Sequence, residues 1–434
     1  MRAINQGLLA LLLAALASAA AAEPPAGSGG PAMPPPAVST AEASAPMLST
    51  PTYSGPGLRL VADDALPRFE ESFKTRAGLI KAAKKAIKYL ESLPPERTLH
   101  VADRNYAPAA LIDSAKEIVA IAQTAKTADE LDARVCAGFD VFQSAGSDGQ
   151  GRVVFSSYYQ PTLKASLKKS PAYPYPLYRR PPDMVEVDLA SFDKKFADAE
   201  PMLGRVGKDK RVTPYPARAD IDRRKALAGK GLEVAWLKDA LEVMDLHVQG
   251  AGILKFASGK EMLVKYAATN GRPYNSVGLT LIRTGVFSRD EITHAKLADY
   301  LRANPDAASW ILAQNPRYTF FDVAPLPEDG EPFGAADQSL VPARAIAIDP
   351  AVVPLGALTF FNTTSPLADK AGRVLGQFPT ARFAFGLDTG GAIKGPGRVD
   401  IYAGHGAQAE ATARGQWAEG KRFVLGKKLP ARDR

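Results

Sequence analysis

The chain has 434 residues and a formal net charge of +8. That length allows two domains and more than one buried core, and the composition is that of an ordinary soluble globular protein. A basic balance suits an acidic partner, but no basic–aromatic interleaving, helix-turn-helix spacing or zinc-finger spacing supports nucleic acid, and the single cysteine, Cys136, excludes an intrachain disulfide and a cysteine-based metal cluster.

Residues 1–22 read as an export signal. Arg2 supplies a positive start, Leu8 to Leu16 an apolar run too short to span a membrane, and Ala20-Ala21-Ala22 a small-residue cleavage site. Lipoprotein processing needs a cysteine just after such a run, and there is no lipobox cysteine here, so a lipid anchor is not expected. Residues 23–57 are Pro, Ala, Ser and Gly with almost no large apolar side chain, which predicts a disordered linker.

Residues 58–159 form a helical N-terminal part leading into the first domain. Leu79, Ile80, Ala83, Ile87 and Leu90 make one helix face, and Lys81, Lys84, Lys85 and Lys88 the other, read as a solvated face. Pro94-Pro95 ends that helix. A second helix follows Pro108, with Leu111, Ile112, Ile118, Val119 and Ala122 inward. A third begins at the capping-box pattern Thr127-Ala128-Asp129-Glu130. Cys136, among Val135, Ala137 and Phe139, is expected to be a buried, inert thiol.

The pattern turns to strand at Val153-Val154-Phe155-Ser156-Ser157-Tyr158-Tyr159-Gln160-Pro161. Paired tyrosines there are either core or a platform on which a sugar ring stacks. Further on, Ala217 to Ile221 suggests a helix start. In His247-Val248-Gln249-Gly250-Ala251-Gly252, glycines around a glutamine suit either a tight turn or a backbone that faces a polar ligand. Val264 to Tyr266 and Asn270-Gly271-Arg272-Pro273-Tyr274 read as a strand and an Asn-Gly turn. Ser288-Arg289-Asp290-Glu291 is a capping box expected to open a helix through Leu301, which Asn304-Pro305 stops.

Two alternating apolar runs then end in aspartate: Arg344 to Asp349, and Phe383 to Asp388. After Asp388 comes a glycine-rich turn holding Gly390, Gly391, Gly395 and Gly397. Val399 and Ile401 bracket a third aspartate, Asp400. The loop is either an ordinary hairpin with surface aspartates or a tight path with a ligand on its main chain. Ala407 to Arg414 reads as a short helix and Arg422 to Leu425 as a closing strand.

The four histidines (His100, His247, His294, His405) are scattered, without metal-ligand spacing. His405, near Asp400, reads as a loop residue. No nucleophile elbow or phosphate loop occurs, so carboxylates are the remaining catalytic groups. Three strands that each deliver one aspartate, with the motifs D-T-G-G-A-I-K-G and V-D-I-Y-x-G-x-G, resemble the three-aspartate domain of the lytic murein transglycosylase A family. The Ser156-Ser157-Tyr158-Tyr159-Gln160-Pro161 segment is similar to that family's T-G-Y-Y-x-P, although serines replace its Thr and Gly. Gln249-Gly250-Ala251-Gly252 resembles Q-G-S-G, and Asn315 to Phe321 resembles N-P-x-Y-V-F-F.

The resemblance implies a mainly β fold with peripheral helices: a double-psi β-barrel interrupted by an inserted second β-barrel, with a groove between them. The insert is expected at 160–300 and the catalytic barrel at 301–428. It also implies cleavage of peptidoglycan glycan strands by one carboxyl group, assigned to Asp400 from its place in V-D-I-Y. Asp388 is the neighbouring carboxylate that raises its pKa or supports the loop. Asp349 holds a turn, and Lys394 either binds an acidic stem or covers the loop. Ser156, Tyr158, Tyr159, Gln249, Gly250, Asn270, Tyr274, Gly390, Gly391 and Tyr402 are the expected substrate contacts. No cofactor and no metal are expected. The chain is expected to be a monomer in the periplasm of a Gram-negative cell, with peripheral outer-membrane association and cell-wall synthesis or division partners left open. A two-carboxylate glycoside hydrolase and a non-catalytic glycan-binding barrel are the alternatives.

Overall fold

The computed structural model describes residues 56–428 except 72–74, 197–200, 290 and 293. The expected export signal and most of the expected linker lie outside the described residues. In chain order the first part holds strand β1 (Leu58–Leu60), helix α1 (Arg76–Glu91), the short pair β2 (Leu99–Val101) and β3 (Arg104–Tyr106), then α2 (Pro108–Thr124), α3 (Ala128–Gly138), β4 (Phe139–Ser144) and β5 (Val153–Gln160). The middle holds β6 (Thr162–Ser166), β7 (Tyr175–Tyr178), β8 (Met184–Val187), β9 (Met202–Val206), β10 (Val212–Pro214), β11 (Glu233–Leu237), α4 (Ala240–Gln249), β12 (Ala251–Phe256), β13 (Glu261–Thr269), α5 (Val277–Arg283), α6 (His294–Ala303), α7 (Pro305–Ala313) and β14 (Thr319–Ala324). The last part holds β15 (Ala345–Ala347), β16 (Leu358–Ala368), β17 (Val374–Asp388), β18 (Arg398–His405), α8 (Gly406–Gly415) and β19 (Trp417–Lys427).

Six strands close on themselves. The order β19-β16-β17-β15-β18-β5 returns to β19 through the pairing of Trp417 with Ser156, so the first barrel has no free edge. Two of its pairings are parallel, β15 with β17 and β18 with β5. Parallel neighbours need long crossovers. Here the connection from β5 back to β18 carries the entire middle of the chain. Period-2 alternation divides these strands into an inner and an outer face. Phe155, Ile346, Phe361, Ala384, Val399 and Val424 fill the interior. Phe360, Phe383, Phe385, Leu387, Tyr402 and Phe423 point outward and are covered by α1, α2 and α3.

The middle of the chain forms a second six-stranded sheet, β14-β13-β12-β6-β11-β7, whose edge strands β7 and β14 lie side by side, and a small three-stranded sheet, β10-β9-β8. Helices α4 to α7 share one apolar cluster against it.

Several local expectations need adjustment. α1 ends at Glu91, before Pro94, but its lysine face is not merely solvated: Lys81 and Lys85 reach Asp329, and Lys85 also donates to Ser339. The Ser288–Glu291 box does form, with Ser288 donating to the Glu291 carboxylate, and the helix is described over His294–Ala303. The helix start expected at 217–221 is present, but as a single π-helical turn, Ala219–Arg223, that goes no further. Cys136 is half-buried rather than buried, with burial pushing its thiol pKa up. The segment before α1 is tied to the barrel by a buried ion pair, in which Arg344 donates to both oxygens of Glu71, and Arg344 also donates to the Phe383 carbonyl.

Candidate active site

Strand β15 sets the geometry. Ala347 pairs with Asp388 on one side and with Asp400 on the other. The two aspartates therefore flank one short strand, their Cα atoms about 10 Å apart by two strand spacings. On the next strand, Ser156 pairs with Asp400 and Tyr158 with Tyr402.

Asp400 is 8% exposed, and the Ser156 hydroxyl donates to its Oδ1 at 2.7 Å. Arg398 in turn donates to Ser156 Oγ at 2.9 Å and lies over the Trp417 ring. Burial pushes the Asp400 carboxyl up to about 6; the Arg398 charge and the Ser156 bond pull it down, and the Asp388 charge pushes it further up. Because i and i+2 share a strand face, the position two residues before Asp400 could have marked Arg398 in the sequence.

Asp388 is held more firmly. Tyr158 donates its hydroxyl to Oδ2 at 2.6 Å, while the Ala335 and Thr389 amides donate to Oδ1 at 3.0 and 2.9 Å. Burial raises its pKa and these three donors hold it down. Asp349 sits apart. Its side chain accepts from the Gly395 amide at 2.6 Å and the Ala351 amide at 3.1 Å, and its carbonyl accepts from Val352 and Val353. It thereby clamps the end of the glycine loop, where Gly395 takes φ +73°. Gly390 closes a turn with Ile393, and Lys394 is exposed on the same loop.

The second sheet supplies the facing wall. Gln249 accepts from the Tyr159 amide at 3.2 Å, which places the end of α4 beside β5. Gly250, at φ +78°, ends that helix and packs by the exposed ring of Tyr266. Lys265 lies over Phe333, two residues before Ala335. The Arg317 guanidinium lies against Gly391. These contacts bring the second sheet and the glycine loop close to the barrel face that carries Tyr158, Asp388 and Asp400. Tyr266, Arg317 and Phe333 were not singled out from sequence; nothing local distinguishes an exposed aromatic at a groove from one at any sheet edge.

Three expected substrate contacts sit elsewhere. Asn270 is fully buried, donating to the Pro216 and Pro316 carbonyls and accepting from the Arg272 and Tyr318 amides, so every polar atom is spent on joining β13 to β14. Tyr402 is fully buried, its ring against Tyr158 and its hydroxyl donated to Glu331. Tyr159 points to the opposite strand face from Tyr158, into α8, where Arg414 donates to its hydroxyl. Tyr274 is partly buried within the electrostatic reach of Asp245 and Arg218. Among the described residues no group of three or more His, Cys, Asp or Glu side chains could hold a metal ion.

Comparison with known proteins gives this geometry relatives. Residues 154–322 match the MltA specific insert domain, and residues 344–425 match the 3D domain. The chain is 30% identical over 275 residues to membrane-bound lytic murein transglycosylase A of Escherichia coli K12, covering 63% of this chain and 65% of that protein. The match thus spans just under two thirds of the length of that curated relative. The crystal structure of a membrane-bound lytic murein transglycosylase from Agrobacterium tumefaciens superposes with a TM-score of 0.67 at 26% identity, covering 87% of this chain and all of the other. A lytic transglycosylase of Burkholderia pseudomallei gives 0.52 at 27% identity, covering 87% and 97%. The chain thus carries both the MltA specific insert domain and the 3D domain, and along them it is similar in sequence and fold to the lytic murein transglycosylase A family.

Proposed function

We propose that this chain is a lytic transglycosylase that cleaves the MurNAc–GlcNAc β-1,4 bond of peptidoglycan without water, leaving a 1,6-anhydro-MurNAc end. The names of its relatives support the enzyme class. The observation that carries the mechanism is the environment of Asp400: a buried carboxyl in the V-D-I-Y motif, on the groove side of the barrel, with its pKa pushed up to about 6.

A carboxyl with that pKa is available both as an acid and as a base near neutral pH. Asp400 first protonates the glycosidic oxygen as the C1–O4 bond breaks and the bonding pair leaves with that oxygen. The muramic acid C1 develops oxocarbenium character. The Asp400 carboxylate then removes the proton from the sugar's own 6-hydroxyl as its oxygen bonds to C1, which returns Asp400 to its starting form. The nucleophile is part of the same ring, so its effective concentration is very high and no second catalytic carboxylate is needed. Asp388, fixed by Tyr158 and two amides, supplies the nearby negative charge that keeps the Asp400 proton on. The Arg398–Ser156 pair orients the Asp400 carboxyl. Gly390 and Gly391 let the saccharide approach the main chain.

Export to the periplasm accords with the reading of residues 1–22 and with the membrane-bound relatives. Among the described residues no helix is long and apolar enough to cross a membrane. The deciding experiment is mass spectrometry of purified murein digested with the wild type and with Asp400→Asn. Anhydro muropeptides from the wild type and none from the variant are expected. Products heavier by one water mean hydrolysis, and binding of murein with no release of fragments means a glycan-binding role.

A further inference from the structure

One cavity among the described residues lies away from the carboxylates. It has a volume of about 350 Å³ and lies on the other face of β18, at the end of the first barrel beneath α8. Alternation explains the separation: Asp400 and Ser156 face the groove, whereas their neighbours Ile401 and Ser157 line the cavity. Arg382, paired with Phe361 across β16 and β17, shares the inner face of the barrel with it, and both residues line the cavity. From α8, Gln408, Ala409 and Thr412 form the lid.

The guanidinium of Arg382 is the unusual feature. It is partly buried, and among the described residues no carboxylate or carbonyl is bonded to it. On the same inner face Arg422, the other partner of Phe361, donates to the Ser144 hydroxyl and the Pro396 carbonyl through one of its nitrogens. A desolvated cation without a counterion is costly, and a low-dielectric cavity beside it strengthens its attraction for an anion. Burial and the Arg344 charge indeed push its pKa down, with Glu71 opposing them. The cavity's own acid, Glu331, is already engaged by the Tyr402 hydroxyl and lies 3.6 Å from His405 Nδ1. The volume is at the lower end of small-molecule sites, about 300–1,000 Å³. It admits a ligand no larger than about a dipeptide by that scale.

We propose that the barrel mouth is a second binding site, separate from the groove, for a small molecule that carries a carboxylate or phosphate held by Arg382. The remaining hydroxyl and amide side chains, Thr380, Ser365 and Thr412, suit a polar body behind the anionic group. The site stands independently of the lytic reading, since it uses none of the residues assigned to bond cleavage.

The test is calorimetric titration of the whole chain with two probes, inorganic phosphate and the dipeptide alanyl-alanine, which distinguish a phosphate ligand from a peptide C-terminus. Saturable binding of at least one probe is expected, weakened tenfold or more in Arg382→Gln. Thr412→Phe, which fills the mouth from the partly exposed face of α8, is expected to abolish binding while murein cleavage persists. This second variant decides the matter if Arg382→Gln does not fold. No binding of either probe at millimolar concentration, or binding in Thr412→Phe equal to that of the wild type, overturns the proposal.

Discussion

Asp349, just after β15, and Asp400, within β18, belong to neighbouring strands of the barrel, and both are acids set among apolar strand residues. Their surroundings differ. Asp349 accepts from two backbone amides and holds a loop. Asp400, equally buried, accepts from one side-chain hydroxyl that is itself shared with Arg398. Backbone amides are fixed donors that stabilise the ionised form, whereas a lone hydroxyl leaves burial to dominate and raises the pKa. The same residue type thus becomes a staple in one place and, in the other, an acid with a raised pKa.

The largest test of that contrast is Asp400→Asn. Lytic turnover should fall by about 10³-fold, within the range for loss of a general acid. Stability should move the opposite way. The folded pKa of Asp400 lies above its ordinary value, so the stability present at low pH is lost as pH rises from 3.8 through about 6. Removing the charge should recover up to about 3 kcal/mol at pH 7, readable by urea denaturation. A variant that is both inactive and less stable than the wild type would break the contrast.

Tyr158→Phe removes the one side-chain donor of Asp388 and leaves its two amides. A loss of about 10-fold to 100-fold in kcat is expected, from one misplaced charge-assisted hydrogen bond. Asp349→Ala should cost about 1–3 kcal/mol through the two orphaned amides, with activity per folded molecule little changed. If Asp349→Ala instead abolishes cleavage at full stability, the division of roles between the two aspartates is wrong. The smallest effect belongs to pH. Because Asp400 must begin protonated, the wild-type rate should fall as pH rises past about 6. Ser156→Ala, by removing a bond that favours the ionised form, should move that limb to higher pH by under about one unit, the size expected for a single neutral hydrogen bond.

The sequence displayed the strand endings at Asp349 and Asp388 and the bracketed Asp400 because alternation and glycine are local signals. It also showed α1 to α3 through their apolar stripes and proline stops. What it could not display was which strands meet. Nothing in Val153 to Gln160 says that its partners are β18 and β19, and closure of the barrel rests on those pairings. The same limit explains Asn270 and Tyr402. An asparagine before glycine, or a tyrosine after V-D-I, has the chemistry of a sugar contact, but burial decides its use, and burial is a property of the assembled fold. Tyr158 and Tyr159 make the point side by side: adjacent in sequence, one reaches Asp388 and the other packs under α8.

The closure of the first barrel also bears on how the molecule comes into being. Ser156 and Asp400 are 244 positions apart, and β5 gains its neighbours only when the last 40 or so residues have been made. During synthesis the first barrel therefore has no route to its finished shape, while the intervening sheet can mature first. The face that carries Asp388 and Asp400 therefore cannot arise before the strands at 398–427 have been made.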